Sequence, residues 1–239
     1  MLHIIGLGLG DEKDISVRAI ETAKKCDCYA ELYTNKWFGS IEGLNTILGK
    51  NVKLLKRHDL EDRLDDFIRE CKEKDVALFV PGDPLAATTH SAIILEARKK
   101  KIPVKIIHNA SIFSAIGETG LHLYKFGRTA TVPFSGKLQA VRDAITVNRK
   151  AGLHTLLLLD LDAEVKLYMS APDALKMLIK GKALKQTDAV LAAAALGTEQ
   201  GEVRWGTAKE MLTASLGTPA VLIVPGKLHF HEREYLEGL

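Results

Sequence analysis

Residues 4–15 read IIGLGLGDEKDI, three glycines at Gly6, Gly8 and Gly10 alternating with apolar residues directly behind a hydrophobic stub. The pattern sets a tight turn at the end of a strand, and the first question is whether that turn holds a phosphate. A dinucleotide fingerprint needs G-x-G-x-x-G on the turn from strand into helix, with the third glycine three places after the second. Here it comes one place early, and Asp11 follows it. A carboxylate then stands where a pyrophosphate expects bare backbone N–H groups. On its own the stretch reads as a strand-to-helix turn, with Asp11, Asp14 and Ser16 as candidate caps for the helix that follows.

Outward from that turn, short apolar runs alternate with helix-length amphipathic segments. Leu2 to Ile5, Cys28 to Tyr33, Val52 to Leu55, Val76 to Val80 and Val104 to Ile107 read as strands, and Ser16 to Lys25, Leu60 to Lys72 and Thr89 to Lys99 as helices. Strands separated by helical patterns of this length predict βαβ units and a mostly parallel sheet. The texture changes after residues 109–112. Helix-like Lys137 to Lys150 and Pro172 to Ile179 there alternate with strand-like "RTATVPF", His154 to Leu159, Ala189 to Leu196, "GEVRWG" and Ala220 to Val224, which predict a mixed sheet. The expectation is two α/β domains, 1–110 and 111–239. No repeat or heptad pattern is present, so solenoids and coiled coils are excluded.

The 239 residues are 46% hydrophobic and 26% charged, the balance of a globular protein and not of a disordered or membrane chain. The longest uninterrupted apolar run, Ala189 to Leu196, is far short of the ~20 residues of a spanning helix. With no secretory leader pattern, the expected location is cytoplasmic, with no membrane association. Cys26, Cys28 and Cys71 make an odd set that fits no disulfide framework and lacks a second pair for zinc, so they read as buried reduced thiols. A net charge of +3 without a dense basic tract argues against nucleic acid as a partner.

Strong catalytic motifs are missing. No G-x-x-x-x-G-K-[ST], G-x-S-x-G or H-E-x-x-H occurs, which removes the P-loop, α/β-hydrolase and zinc-protease readings. His229 and His231 would share one face of a strand, but two imidazoles without a third ligand do not make a metal site, and no metal is expected. A second glycine turn, "VPGDPLAATTH", ends the buried-looking strand Val76 to Val80. Ligands of open α/β sheets sit outside the carboxyl ends of the strands, so both loops are candidates for one site. Asp83 reads there as a turn former before it reads as a ligand acceptor.

In order along nearly the whole chain, "IIGLGLGDEKDIS", "VPGDPLAATTH", "IHNASI", "TGLHLYKFG", "GLHTLLLLD" and "IVPGKLHFHEREYL" closely resemble the tetrapyrrole methylase family, the class III S-adenosylmethionine-dependent methyltransferases. The "ATTH", "GLHLYKFG" and "PGKLH" segments resemble the branch of that family that acts in diphthamide biosynthesis. The resemblance implies two α/β domains with an active-site cleft between them, a homodimer, and S-adenosyl-L-methionine as donor, with S-adenosyl-L-homocysteine as product. The implied substrate is translation elongation factor 2, in which the amino group of a 3-amino-3-carboxypropyl-histidine is methylated repeatedly.

Carried over by motif, the donor-contacting positions are Leu9, Asp83, Ala86, Ser111, Ile112, Leu159, Leu196 and Ala220. Such a donor carries no phosphate, which suits the irregular first loop. Methyl transfer is an in-line displacement in which positioning alone contributes up to ~7–11 kcal/mol of barrier lowering, so a dedicated base is not obligatory. His90, His108, His122 and His229 are the candidates if one exists, and none is singled out. Tyr124, Phe126 and Tyr235 are candidates to hold the growing ammonium by cation–π contact. Two other readings stand beside this one. The first is a family member acting on a corrin precursor or ribosomal RNA. The second is a NAD-dependent oxidoreductase or nucleotide-sensing module in which Glu31 holds a ribose.

Overall fold

A computed structural model describes all of residues 1–239, which divide into two compact units. The first comprises Met1–Ile112 with Asp162–Val165, the second Phe113–Leu161 with Lys166–Leu239. No helix is long and apolar enough to cross a membrane.

The first unit runs β1 (Leu2–Gly6), α1 (Val17–Ala23), β2 (Asp27–Glu31), α2 (Ile41–Leu48), β3 (Val52–Leu55), α3 (Arg57–Glu61), α4 (Leu64–Glu73), β4 (Val76–Val80), α5 (Ser91–Lys99) and β5 (Val104–Ile107). Its five strands lie in the order β3-β2-β4-β1-β5, and every pairing is parallel. β1 and β4 are buried throughout, which explains why they read as continuous apolar runs and not as alternating ones. The period-2 pleat still sorts their side chains. Leu2, Ile4, Val76, Leu78 and Val80 enter one core, while Ile5, Ala77 and Phe79 enter the other.

The helix expected over Leu60 to Lys72 is two helices, α3 and α4, separated at Asp62 and Arg63. Asp65 and Asp66 occupy the first turn of α4, where carboxylates favour a helix N-terminus, and Arg63 pairs with Asp66 at 3.2 Å. The apolar periodicity runs through this start signal and conceals it. Ser16 caps α1 by accepting from Ala19 N at 3.2 Å. Asp11 caps a separate 3-10 turn through Lys13 N (2.8 Å), and Asp14 takes Gly10 N (2.7 Å), so the three candidate caps serve three different N–H groups.

The second unit contains α6 (Ile112–Ala115, entered from the last residue of the first unit), β6 (Ala130–Val132), α7 (Gln139–Lys150), β7 (Thr155–Leu159), β8 (Leu161–Asp162), β9 (Leu167–Tyr168), α8 (Ala171–Lys180), β10 (Ala189–Ala194), β11 (Glu202–Thr207), α9 (Ala208–Met211), β12 (Ala220–Val224) and α10 (Phe230–Glu237). Its main sheet has the order β11-β10-β12-β7-β6. Only β6 and β7 are parallel, so this sheet is mixed as the sequence predicts. One core of Leu157, Leu175, Leu178, Leu222 and their neighbours joins it to α7 and α8.

The strand expected around His229 and His231 is instead the start of α10. Glu232 accepts from His229 N at 2.7 Å, closing the helix start, and His231 N donates to His229 Nδ1 at 3.4 Å. The spacing from His229 to Glu232 is that of a capping box with an imidazole in place of the usual hydroxyl.

Candidate functional site

In the first unit the connection after β1 leaves toward β2, and the connection after β4 leaves toward β5 on the other side of β1. The two connections pass over opposite faces of the sheet, α1 packing in one core and α5 in the other, and so open a crevice at the carboxyl ends of β1 and β4. That crevice is where the two glycine loops lie. They are joined in backbone: Leu7 N donates to Val80 O (2.8 Å), Gly8 N to Gly82 O (3.2 Å) and Gly82 N to Gly8 O (2.8 Å).

Gly8 has φ of +81°, a conformation that costs glycine nothing. Gly6 is required for closeness, since a Cβ there would lie 2.5 Å from Gly82 O and 2.8 Å from Asn109 Cβ. The loop offers a phosphate little. Gly8 N is taken by Gly82, Gly10 N by Asp14 and Lys13 N by Asp11, and two carboxylates face the turn.

The segment after β5 completes the arrangement. Asp83 accepts from Leu85 N on Oδ1 (2.9 Å) and from Asn109 N on Oδ2 (3.1 Å), and the same Oδ2 lies 2.7 Å from His108 Nδ1. Asn109 Nδ2 donates to Gly6 O and to Asp14 O, each at 3.0 Å. Asp83 and Asn109 thus tie three strand ends into one rigid edge, and Asp83 acts as a turn former and clamp. Leu9 and Ile112 are half-buried, Ala86 likewise, and Ser111 is buried. These five positions share the carboxyl end of the first unit's sheet. Asn109 was not anticipated as a site residue, although it stands in the "IHNASI" segment. An amide with two donors two residues after a strand was the available signal.

Glu31, the ribose ligand of the oxidoreductase reading, is fully buried at the end of β2 and committed elsewhere. It accepts from Tyr33 N and Thr34 N (both 3.1 Å) and Thr34 Oγ1 (2.6 Å), with His90 Nε2 at 3.4 Å. It has no free face for a sugar.

In the second unit Leu159 ends β7 and pairs with Val132, Leu196 follows the end of β10, and Ala220 opens β12 opposite Ala194. β12 is antiparallel to β7 and β10, so all three positions lie at one end of that sheet. Each is 6% exposed, and Leu159 and Ala220 belong to the core.

His122, His154 and His229, with Tyr124 and Phe126, collect at the other end, whereas Tyr235 packs on Gly120. His154 immediately precedes β7, and Phe126 pairs with it in an isolated bridge. Roughly 3.3 Å per residue puts that end about 16 Å from Leu159. The centre of the cluster is Glu232, fully buried, whose carboxylate receives the Lys125 ammonium, His229 N (2.7 Å), His122 N (2.9 Å) and His154 Nε2 (3.0 Å). Burial alone would raise its pKa, but these donors outweigh burial and hold the carboxyl down to about 2. Burial lowers the pKa of His154 in spite of Glu232. Tyr124 is 82% exposed and stacks on His122, and Tyr235 donates from its hydroxyl to Glu118 O (3.1 Å). Phe126 packs edge-on against His154, and no ring contact joins Tyr124, Phe126 and Tyr235 to one another.

Cys26, Cys28 and Cys71 are free and buried; burial pushes the Cys28 thiol up to about 11 and Cys71 to about 12, which leaves them unreactive near neutrality.

The chain therefore pairs an all-parallel first sheet, with two hydrogen-bonded glycine loops at its carboxyl end, with a mixed second sheet. The chain matches the tetrapyrrole (corrin/porphyrin) methylases over residues 1–212 and belongs to that family. It is 40% identical over 252 residues to a protein of Methanococcus maripaludis named diphthine synthase, covering 100% of this chain and 98% of the relative. A Methanocaldococcus jannaschii protein of the same name is 39% identical with the same coverage. A crystal structure of diphthine synthase superposes with a TM-score of 0.93 at 40% identity, covering 100% of this chain and 95% of that one.

Proposed function

We propose that this chain is an S-adenosyl-L-methionine-dependent N-methyltransferase of diphthamide biosynthesis. Its substrate is translation elongation factor 2 carrying a 3-amino-3-carboxypropyl-histidine, whose amine it methylates repeatedly to diphthine. The observation that carries the reading is full-length identity of about two residues in five to proteins named diphthine synthase. The geometry of the first loop is compatible with it. A loop whose Gly8, Gly10 and Lys13 amides are already used and whose turn carries Asp11 and Asp14 suits a ligand without phosphate and tolerates a cation.

A donor of this class supplies a methyl group activated on a sulfonium, with a neutral thioether as leaving group. Leu9 and Ile112, half-exposed beside the loops, offer apolar surface; Ala86 and Ser111 leave room, and Asp83 holds the edge rigid. Leu159, Leu196 and Ala220 are the contacts proposed from the second unit. Positioning of this kind needs no side-chain base, provided the acceptor amine has lost its proton to water before it attacks. The geometry favours none of the four histidines as a base. His90 is buried against Glu31, His108 is held by Asp83, and His122 and His229 belong to the Glu232 cluster. The enzyme works as a homodimer in the cytoplasm in this reading.

Mass spectrometry of elongation factor 2 bearing the extended histidine, incubated with the protein and S-adenosyl-L-methionine, tests substrate and chemistry together. Added methyl mass on that peptide is expected, and its absence removes the substrate assignment.

A further inference from the structure

The first unit carries a groove of about 580 Å³ between α4 and α5, lined by Asp65, Arg69, Lys72, Lys99, Lys100 and Lys101 over a floor of Ile68 and Ile102. Both helices run antiparallel to the strands they precede, so their C-terminal turns, and with them Lys72 and Lys99 to Lys101, lie at the amino end of the sheet. That is the end opposite the glycine loops, and the groove does not compete with them.

Part of the charge has a local explanation. Two helix C-termini each carry roughly half a negative charge, which favours cations nearby. Arg69 is drawn to Asp66 (3.3 Å), Lys99 to Glu96 (2.5 Å) and Lys100 loosely to Asp65 (3.8 Å). Lys72 and Lys101 are exposed and have no carboxylate partner. Two free cations exceed the roughly one unit of helix-end charge, and the three existing pairs are exposed ones that an incoming carboxylate can displace at a cost of about 0–1 kcal/mol each.

We propose that this groove docks an acidic segment of the protein substrate, away from the methyl-transfer site; the proposal rests on the function argued above. The chemistry of the lining selects protein over nucleic acid. No aromatic ring lines the groove to stack on a base, and four of its five cations are lysines, point charges and not the planar forks that read phosphates bidentately. A protein far larger than the glycine loops needs a second contact to orient it, and charge at a distance accelerates its capture.

The test measures binding of labelled elongation factor 2 to the full chain, with Lys72→Glu/Lys101→Glu compared against a charge-matched control, Lys180→Glu/Lys182→Glu. Binding at about 50 mM salt is expected to weaken on the order of tenfold for the groove variant and to change little for the control, with the gap closing near 300 mM as screening shortens. S-adenosyl-L-homocysteine affinity stays unchanged in both, because neither pair touches the glycine loops. Equal binding by the groove variant and the wild type overturns the proposal, as does equal weakening by the control. It is also overturned if a twelve-nucleotide RNA occupies the groove as tightly as a twelve-residue polyglutamate peptide and is lost in the groove variant. A wild type that methylates elongation factor 2 while the groove variant keeps its KM leaves the function standing and removes the docking site. A wild type that neither binds nor methylates it removes both.

Discussion

Glu232→Gln perturbs the most interconnected buried group in the second unit. Its carboxyl is held down to about 2 from an ordinary 4.5 by Lys125, two backbone N–H groups and His154 acting against burial. A displacement of that size corresponds to about 3 kcal/mol of stability at neutral pH. The folded-state pKa is depressed, so the contribution is complete above the unfolded value near 4.5 and is lost as pH falls through the folded value near 2. About half remains near pH 3. Glutamine keeps the shape but leaves the Lys125 ammonium, 20% exposed, without its counter-charge. Urea unfolding followed by circular dichroism is expected to show the variant about 3 kcal/mol less stable at pH 7, a thermal shift of roughly 6–12 °C. The gap between the two proteins should shrink steadily from pH 4.5 to 2. His154 acts in a separate window: its lowered pKa removes stability as pH falls below 6.5, and more so in the variant, which lacks the Glu232 charge that raises it. A difference under about 1 kcal/mol at pH 7, or one that persists undiminished at pH 2, refutes the argument that the carboxylate's charge holds this cluster together.

Three further outcomes follow from the loops and the aromatic residues. Gly6→Ala forces the two glycine loops apart, because the added methyl meets Gly82 O at 2.5 Å; calorimetry should show S-adenosyl-L-homocysteine affinity down about tenfold and stability down roughly 1–3 kcal/mol, and wild-type affinity refutes it. Asp83→Asn points an N–H at the Leu85 or Asn109 amide and is expected to cost about 1–3 kcal/mol in the same unfolding assay and to reduce the stabilisation given by S-adenosyl-L-homocysteine. Tyr124→Leu should leave the ratio of mono-, di- and trimethylated product unchanged in mass spectra, since Tyr124 lies with the His154 end of its sheet, away from Leu159; an altered ratio would restore the cation–π role.

The architecture was legible because its signals are local. Short apolar runs separated by helix-length amphipathic segments identified the strands of both sheets, and the change of texture after residues 109–112 separated a parallel sheet from a mixed one. What was not legible depended on competition between signals. Leu60 and Phe67 continue one apolar stripe across α3 and α4, and only Asp65 and Asp66 betray the second helix start. At His229 the strand reading followed from the x-alternation of the imidazoles, whereas the decisive residue was Glu232 three places on, acting on the His229 backbone.

The candidate site divides along the same line. Gly6, Gly8, Gly82 and Asp83 announce themselves because tight turns restrict residue type, but their mutual contacts need the strand order β4-β1-β5, which brings residues about 75 and 100 positions apart onto one edge. The segments that mark the diphthamide branch behave differently. "GLHLYKFG" and "PGKLH" supply His122, Lys125 and His229 to the buried Glu232, at the end of β7 remote from Leu159. A buried carboxylate that loses any one donor is left with an unmet charge, so such a set constrains several residue types at once without touching a reactant. The most distinctive words of this sequence therefore report how the second unit is held together, whereas the plainer leucines and alanines at the opposite sheet end are the ones proposed to meet the donor.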